Sequence, residues 1–529
     1  MLSYKMSRVI FFGRKLEHFF SKSRSKLACF NRSCLHFLVF KAKPFWVQLV
    51  YFVVLSLLGF GALKMSKPKP DSLRPTNMDV FFTSVSAVTV SSMSTVEMEI
   101  FSNTQLIIMT VLMLVGGEVF TSMLGLQLAR SRFKVHDTPD GDSVNCISHE
   151  IELGTITHGH EKPRTDLETN INSSSTKSLK YKATRYLAYV VLGYLLLVHI
   201  IGSSLVSMYV SLVPSARKIL RTKGIEIQTF SFFTVVSTFA NCGFVPTNEN
   251  MIVFKENSGL LLLLIPQILL GNTLYPACLR ASIWVLDKMT KKVEFKYILE
   301  NYREMGYGHL RSGVCCALLA TTVVGFISVQ FMLFCSMEWD SEGMAGLSPY
   351  QKLVGSLFEV VNSRHSGESI VDLSTISSAI LVLFVVMMYL PPYTSFIPTK
   401  YQKEGKEKGG KSEAAGKSIW ECVMLSNLSY LAIFIILICI TERQKLKEDP
   451  LNFNVLNITI EVISAYGNVG FSMGYSCKRR LSGEMGCTDT WAGFVGRWSG
   501  SAKFILILVM FFGRLKSFTL KSGKAWKLS

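Results

Sequence analysis

The chain is 529 residues long and 49% hydrophobic, with 36 Phe, and its 56 Lys and Arg exceed 37 Asp and Glu to give a net charge of +19. That apolar content excludes a string of ordinary soluble domains and points to a polytopic membrane protein. A basic excess of this size suits nucleic acid or an anionic membrane surface, and its placement along the chain excludes the first.

Residues 1–45 hold ten basic residues and no compact apolar core ending in a small-residue cleavage site. The reading is an uncleaved amino terminus, with the first crossing as its own insertion signal. Apolar runs able to cross about 30 Å of hydrocarbon as helices follow at 46–63, 104–128, 186–212, 259–286, 314–337, 376–390, 420–440 and 504–512. With the amino terminus inside and eight crossings, 1–45, 129–185, 288–311, 399–418 and 513–529 face the cytoplasm. They hold 36 of the 56 Lys and Arg, which is the positive-inside pattern and fixes the orientation without nucleic acid.

Four of the intervening stretches share one pattern: FTSVSAVTVSS (82–92), FTVVSTFANCG (233–243), FEVVNSRHSG (358–367) and IEVISAYGNVG (460–470). Each is flanked by long apolar helices and is too short to span the bilayer itself. Irregular backbone at membrane depth is tolerated where it lines water, and repeated membrane units meet around a common site. The expected fold is therefore all-α: four tandem units of helix, re-entrant pore helix and helix around one cation pore, with eight transmembrane helices. The divisions are a basic segment 1–45, repeats at 46–130, 183–287, 311–399 and 419–520, cytoplasmic linkers at 131–182, 288–310 and 400–418, and a tail at 521–529. The Ser- and Thr-rich 131–182 and the charged, Gly-rich 400–418 read as mobile connectors.

A filter lined by carbonyls needs backbone angles that Gly adopts and side chains resist. Gly243, Gly367 and Gly470 meet that need, and Ser92 breaks the rule. Its Cβ and hydroxyl narrow the ring and favour a smaller monovalent ion. The residues just before these, Val90, Ser91, Asn241, Cys242, His365, Ser366, Asn468 and Val469, supply adjacent backbone. Glu97, Glu99, Glu249, Glu368 and Asp372 follow the filter positions and read as an outer vestibule that concentrates cations. Glu359 and Glu461 lie near the expected starts of the third and fourth pore helices, where a carboxylate suits the helix dipole. Lys503 and Arg514 bracket the last apolar segment, either snorkelling to the interface or facing the pathway. Cys477 and Cys487 share a polar extracellular segment in which a disulfide can form. Asn457, just ahead of the fourth pore helix, is the one sequon expected outside. His158 and His160 read as solvated surface.

These residues closely resemble the plant HKT family within the Trk/Ktr/HKT superfamily of cation transporters, over about 44–520. The most specific pieces are DVFFTSVSAVTVSSMSTVEME, FANCGFVPTNENM, GNTLYPACLR, FEVVNSRHSGES, ISAYGNVGFSMGY, FVGRW and VMFFGRLK. The resemblance implies one cation pathway per subunit, a homodimer in membrane lipid, and Na+ passing Ser92, Gly243, Gly367 and Gly470. In that family Ser at the first filter position goes with sodium-selective uniport and Gly with potassium-permeable or sodium–potassium symporting forms. It also places a cation of the last helix near the pathway, at Lys503 or Arg514. The segment SGSAK after Trp498 departs from relatives that carry an acid there, which removes a local partner for Lys503.

The function expected is a channel-like plasma-membrane sodium uniporter with both termini cytoplasmic; the alternative is a potassium-permeable or sodium–potassium symporter. No cofactor and no small-molecule substrate beyond monovalent cations is expected. The chain is not expected to be an enzyme: it has no GxxxxGK[ST] loop, and only His199 lies deep in an apolar segment, without a nucleophile or base beside it. No helix repeats Arg or Lys every third residue, which excludes a voltage sensor.

Overall fold

The computed structural model describes residues 44–69, 75–136, 166–394, 427–479 and 489–519. By compactness the chain divides into Met1–Tyr51 and Phe52–Ser529. Of the first unit, 44–51 are described and form opening turns of a helix; the second unit holds all the other described elements.

In chain order the helices are α1 (Pro44–Met65), α2 (Asn77–Thr89), α3 (Asn103–Gly116), α4 (Glu118–His136), α5 (Asp166–Leu212), α6 (Pro214–Thr222), α7 (Ile227–Ala240), α8 (Ser258–Gly271), α9 (Tyr275–Thr290), α10 (Val293–Glu300), α11 (Gly313–Glu338), α12 (Pro349–Asn362), α13 (Ser378–Tyr389), α14 (Asn427–Thr441), α15 (Arg443–Glu448), α16 (Val455–Gly467) and α17 (Gly500–Thr519). The eight apolar runs are mostly helical where described. Among the described residues, three helices are long and apolar enough to cross a membrane alone, at Phe45–Met65, Ser178–Leu212 and Gly313–Glu338. The runs at 104–128 and 259–286, read as single crossings, are instead broken pairs bent by 58° and 84°. α13 is shorter, at 12 residues, and Pro391 and Pro392 stop it; α14 is described from Asn427 to Thr441.

A glycine marks each break. A Cβ on Gly116 would collide with the Val88 carbonyl at the end of α2, and one on Gly271 with the Phe239 carbonyl at the end of α7. Each helix lies against the short helix before it at the point where it breaks. Gly513 meets the Tyr466 carbonyl of α16 in the same way.

Within the expected linker 131–182, residues 131–136 continue α4 and 166–182 open α5, and 137–165 lie outside the described residues. Once the apolar part of α5 has paid the cost of nucleation, each added residue contributes a hydrogen bond, so a Ser-rich stretch extends the helix. Residues 400–418 lie outside the described residues.

The four motif copies form the short helices α2, α7, α12 and α16, of 13 or 14 residues. At 1.5 Å per residue these are about 20 Å long, less than a bilayer core. Local signals start them. Thr76 accepts from Asp79 N at 3.3 Å, Ser348 from Gln351 N at 3.3 Å with Pro349 in the first turn, and Asn454 from Asn457 N at 2.8 Å. Their opening residues Phe82, Phe233, Phe358 and Ile460 are all buried.

Helix contacts close in a ring. α3 packs on α7, α8 on α12, α13 on α16, and α17 returns to α2. Each helix after a motif thus supports the next motif along the chain, and the last supports the first.

Gly116→Ala should lower the melting temperature of the detergent-solubilised protein, at a cost of about 1–3 kcal/mol from overpacking. Gly325→Ala in α11, where an added Cβ meets open space, should be neutral or stabilising by up to about 1 kcal/mol. Thermal unfolding followed by fluorescence on both variants checks the pair.

Candidate functional site

Three of the short helices end in one way. The residue after the helical stretch is left-handed, at φ 53° for Val90, 57° for Asn241 and 53° for Asn468. Its N–H bonds three residues back, and the next N–H bonds five back: Ser91 N to Ser86 O at 2.9 Å, Cys242 N to Ser237 O at 2.8 Å, and Val469 N to Ser464 O at 3.0 Å. This paired closure satisfies the last carbonyls and reverses the chain. The third copy is one residue shorter; Ser363 keeps helical angles, and Gly367 N reaches Asn362 O at 3.2 Å.

The chain then runs to Ser92, Gly243, Gly367 and Gly470, whose φ values are 52°, 86°, 75° and 99°. All four positions adopt the left-handed region, including the one that is not glycine. They also touch in sequence. A Cβ on Gly243 would strike the Ser366 carbonyl, one on Gly367 the Val469 carbonyl, and one on Gly470 the Cβ of Ser92. The same added carbons would stand 2.8 Å from Ser92 Oγ at Gly470 and 3.3 Å from it at Gly243. Gly470 therefore leaves the room into which Ser92 projects. All four residues line one cavity of about 510 Å³.

Behind the ring, polar groups lock the backbone. Asn468 Nδ2 donates to Ser91 Oγ at 2.7 Å, and Thr89 Oγ1 lies 2.8 Å from the same oxygen. Asn241 Nδ2 donates to Phe239 O at 3.0 Å. Cys242, His365 and Ser366 are buried.

Several expected positions change. Glu359 and Glu461 are not at helix starts but in the last turn of α12 and the middle of α16. Each reaches across to the descending segment: Glu359 accepts from Ile370 N and Ser369 Oγ, both at 3.0 Å, and Glu461 from Met473 N at 3.1 Å and Ser472 Oγ at 2.5 Å. Both are fully buried, so these bonds offset their desolvation. Glu368 leaves the vestibule as well. It is buried and accepts from Thr238 Oγ1 of α7 at 2.7 Å.

Of the remaining acids, Glu249 and Asp372 line the cavity, with Lys478, Arg479 and Asp489. Glu97 and Glu99 stand behind it. Glu97 accepts from Trp491 N at 3.1 Å and Asn248 Nδ2 at 3.2 Å, and Glu99 from Asn248 N at 3.0 Å. Lys223 bonds both Glu99 and Glu249 at 2.5 Å.

Lys503 does not line this cavity; it pairs with Asp79 of α2 at 2.8 Å, both mostly buried. The partner absent from its own neighbourhood comes from 424 residues away. Arg514 likewise lies off the cavity wall, donating to Gly116 O at 2.5 Å at the α3–α4 break, with its guanidinium 5.5 Å from the Phe52 ring centroid. Asn457 lies inside α16, is buried, and donates to Asn452 O at 2.8 Å. Cys477 is disulfide-bonded, and Cys487 lies outside the described residues. The sequence reading missed Asp79, Lys223, Thr238 and Asn248. Only Asp79 left a local signal, a carboxylate at the edge of a membrane-embedded motif that calls for a buried cation.

The geometry is that of a membrane protein whose backbone turns and acidic side chains surround a polar cavity. The chain belongs to the TrkH family of cation transport proteins, whose family model matches residues 164–398 and 402–522. It is 54% identical over 471 residues to the sodium transporter HKT1 of Arabidopsis thaliana, covering 88% of this chain and 92% of that one. It is 48% identical over 527 residues to the cation transporter HKT1;3 of Oryza sativa subsp. japonica, covering 97% and 98%. The crystal structure of the potassium transporter TrkH from Vibrio parahaemolyticus shares the fold, with a TM-score of 0.50 at 15% identity over 91% of this chain and 84% of that one.

Lys503→Met strands the Asp79 carboxylate and should cost about 3 kcal/mol, seen as a lower melting temperature. Adding Asp79→Asn should recover part of the loss. An unchanged melting temperature in the single variant would show that the pair contributes nothing.

Proposed function

We propose that this protein is a channel-like, sodium-selective uniporter of the plasma membrane, conducting down the electrochemical gradient through a four-repeat filter at Ser92, Gly243, Gly367 and Gly470. The observation that carries the reading is the single side chain in the ring. Ser92 Oγ sits between Gly470 and Gly243, where the other three positions offer backbone alone. Carbonyls in this arrangement replace an ion's hydration shell, and the added hydroxymethyl reduces the room for a larger ion. The Arabidopsis relative's name, a sodium transporter, supports the same choice of ion.

The cavity is read as the extracellular entrance and both termini as cytoplasmic. Two features support this: the basic residues cluster in the segments assigned to the inside, and the disulfide at Cys477, next to cavity residues Lys478 and Arg479, suits an oxidising compartment. Four helix, pore helix and helix units with eight crossings fit the closed ring of helix contacts. The homodimer rests on the family resemblance.

Voltage clamp of the chain expressed in oocytes tests the reading. The reversal potential should follow external sodium and ignore potassium. Ser92→Gly should raise relative potassium permeability about tenfold, equal to about 1.4 kcal/mol. If that variant keeps the wild-type ion preference, Ser92 is not the selective element.

A further inference from the structure

Lys223 caps the carboxyl end of α6, where the helix dipole favours a cation, and Gly224 turns the chain away at φ 61°. Its ammonium lies between two carboxylates from different motif loops, Glu99 and Glu249, at 2.5 Å from each. Glu249 forms part of the cavity wall, whereas Lys223 and Glu99 stand behind it. Burial disfavours the ammonium, but the Glu249 and Glu99 carboxylates outweigh it and hold its pKa above the usual lysine value. It therefore stays charged at any physiological pH.

A brace between the two loops would be one explanation, but that task is already done. Asn248 N donates to Glu99 Oε1 at 3.0 Å and Glu99 N to Asn248 Oδ1 at 2.9 Å, a reciprocal pair that joins the same loops without Lys223. What Lys223 adds is charge. Among the described residues, the acids on the wall are Glu249, Asp372 and Asp489 and the bases are Lys478 and Arg479, three against two. At so slight a surplus, one further fixed charge changes the local potential substantially.

We propose that Lys223 is a tethered counter-ion of the vestibule: it occupies the place between Glu99 and Glu249 that an external cation would otherwise take, and so limits how strongly the entrance gathers cations. This rests on the reading of the cavity as the outer entrance of the cation path. It assigns to Lys223 control of apparent affinity, separate from the ion choice assigned to Ser92.

The test compares wild type, Lys223→Gln, Lys223→Arg, Glu249→Gln and the double variant Lys223→Gln/Glu249→Gln by voltage clamp, with surface protein quantified in each. Lys223→Gln should lower the half-saturating external sodium concentration about three- to tenfold at low ionic strength. The difference should shrink near 0.15 M salt, where exposed charges are screened over about 8 Å. The same variant should gain block by millimolar external calcium, for which two uncompensated carboxylates form a site. Lys223→Arg should behave as wild type, Glu249→Gln should raise the half-saturating concentration, and the double variant should return towards wild type.

An unchanged half-saturating concentration in Lys223→Gln at normal surface density overturns the proposal. If that variant does not reach the surface, Glu249→Gln decides: an unchanged sodium dependence there overturns it equally. None of these variants should alter the sodium-to-potassium permeability ratio. A null result here while Ser92→Gly still changes that ratio sinks the counter-ion role alone, whereas an inert Ser92→Gly sinks the filter reading.

Discussion

Four chain turns approach one another at Ser92, Gly243, Gly367 and Gly470 so closely that a side-chain carbon at three of them would collide with a neighbouring turn. The rest of the structure serves that approach. The turns need left-handed backbone, which costs an L-residue roughly 1–2 kcal/mol, and Ser92 and Val90 adopt it although neither is glycine. Such conformations persist where surrounding contacts over-determine them. Here those contacts are the paired helix closures, the Asn468–Ser91 bond and the helix ring that returns α17 to α2.

The buried acids belong to the same support. Glu359, Glu461 and Glu368 are each removed from water yet hydrogen-bonded, the first two to the chain descending from their own turn and the third to the preceding motif's helix. A carboxylate in such a place fixes the position of N–H and O–H groups that would otherwise wander. These bonds brace the backbone on either side of the turns. The Asp79–Lys503 pair anchors the opposite end of α2 to α17 and holds the first motif against the last.

Above the ring, charge rather than shape distinguishes the residues. Acids that follow the turns in sequence divide into three groups: those on the cavity wall, those tied behind it and one turned inward. The division follows from the hydrogen-bond partners: Asn248 and Trp491 hold Glu97 and Glu99, and Thr238 holds Glu368. Lys223 joins the first two groups and couples the wall to the loops behind it.

Local pattern was sufficient for a good deal. Apolar runs coincide with the three long apolar helices and the two bent pairs, and the recurring motif with its terminal Gly or Ser coincides with the four turns, because periodicity and glycine's backbone freedom are properties of short stretches. The helix breaks at Gly116 and Gly271, the partner of Lys503, the burial of Glu368 and Asn457, and the clasp of Lys223 were settled only by tertiary structure. Each depends on groups far apart in the chain meeting once the helix ring closes, and no local spacing encodes which distant carbonyl, carboxylate or ammonium will arrive.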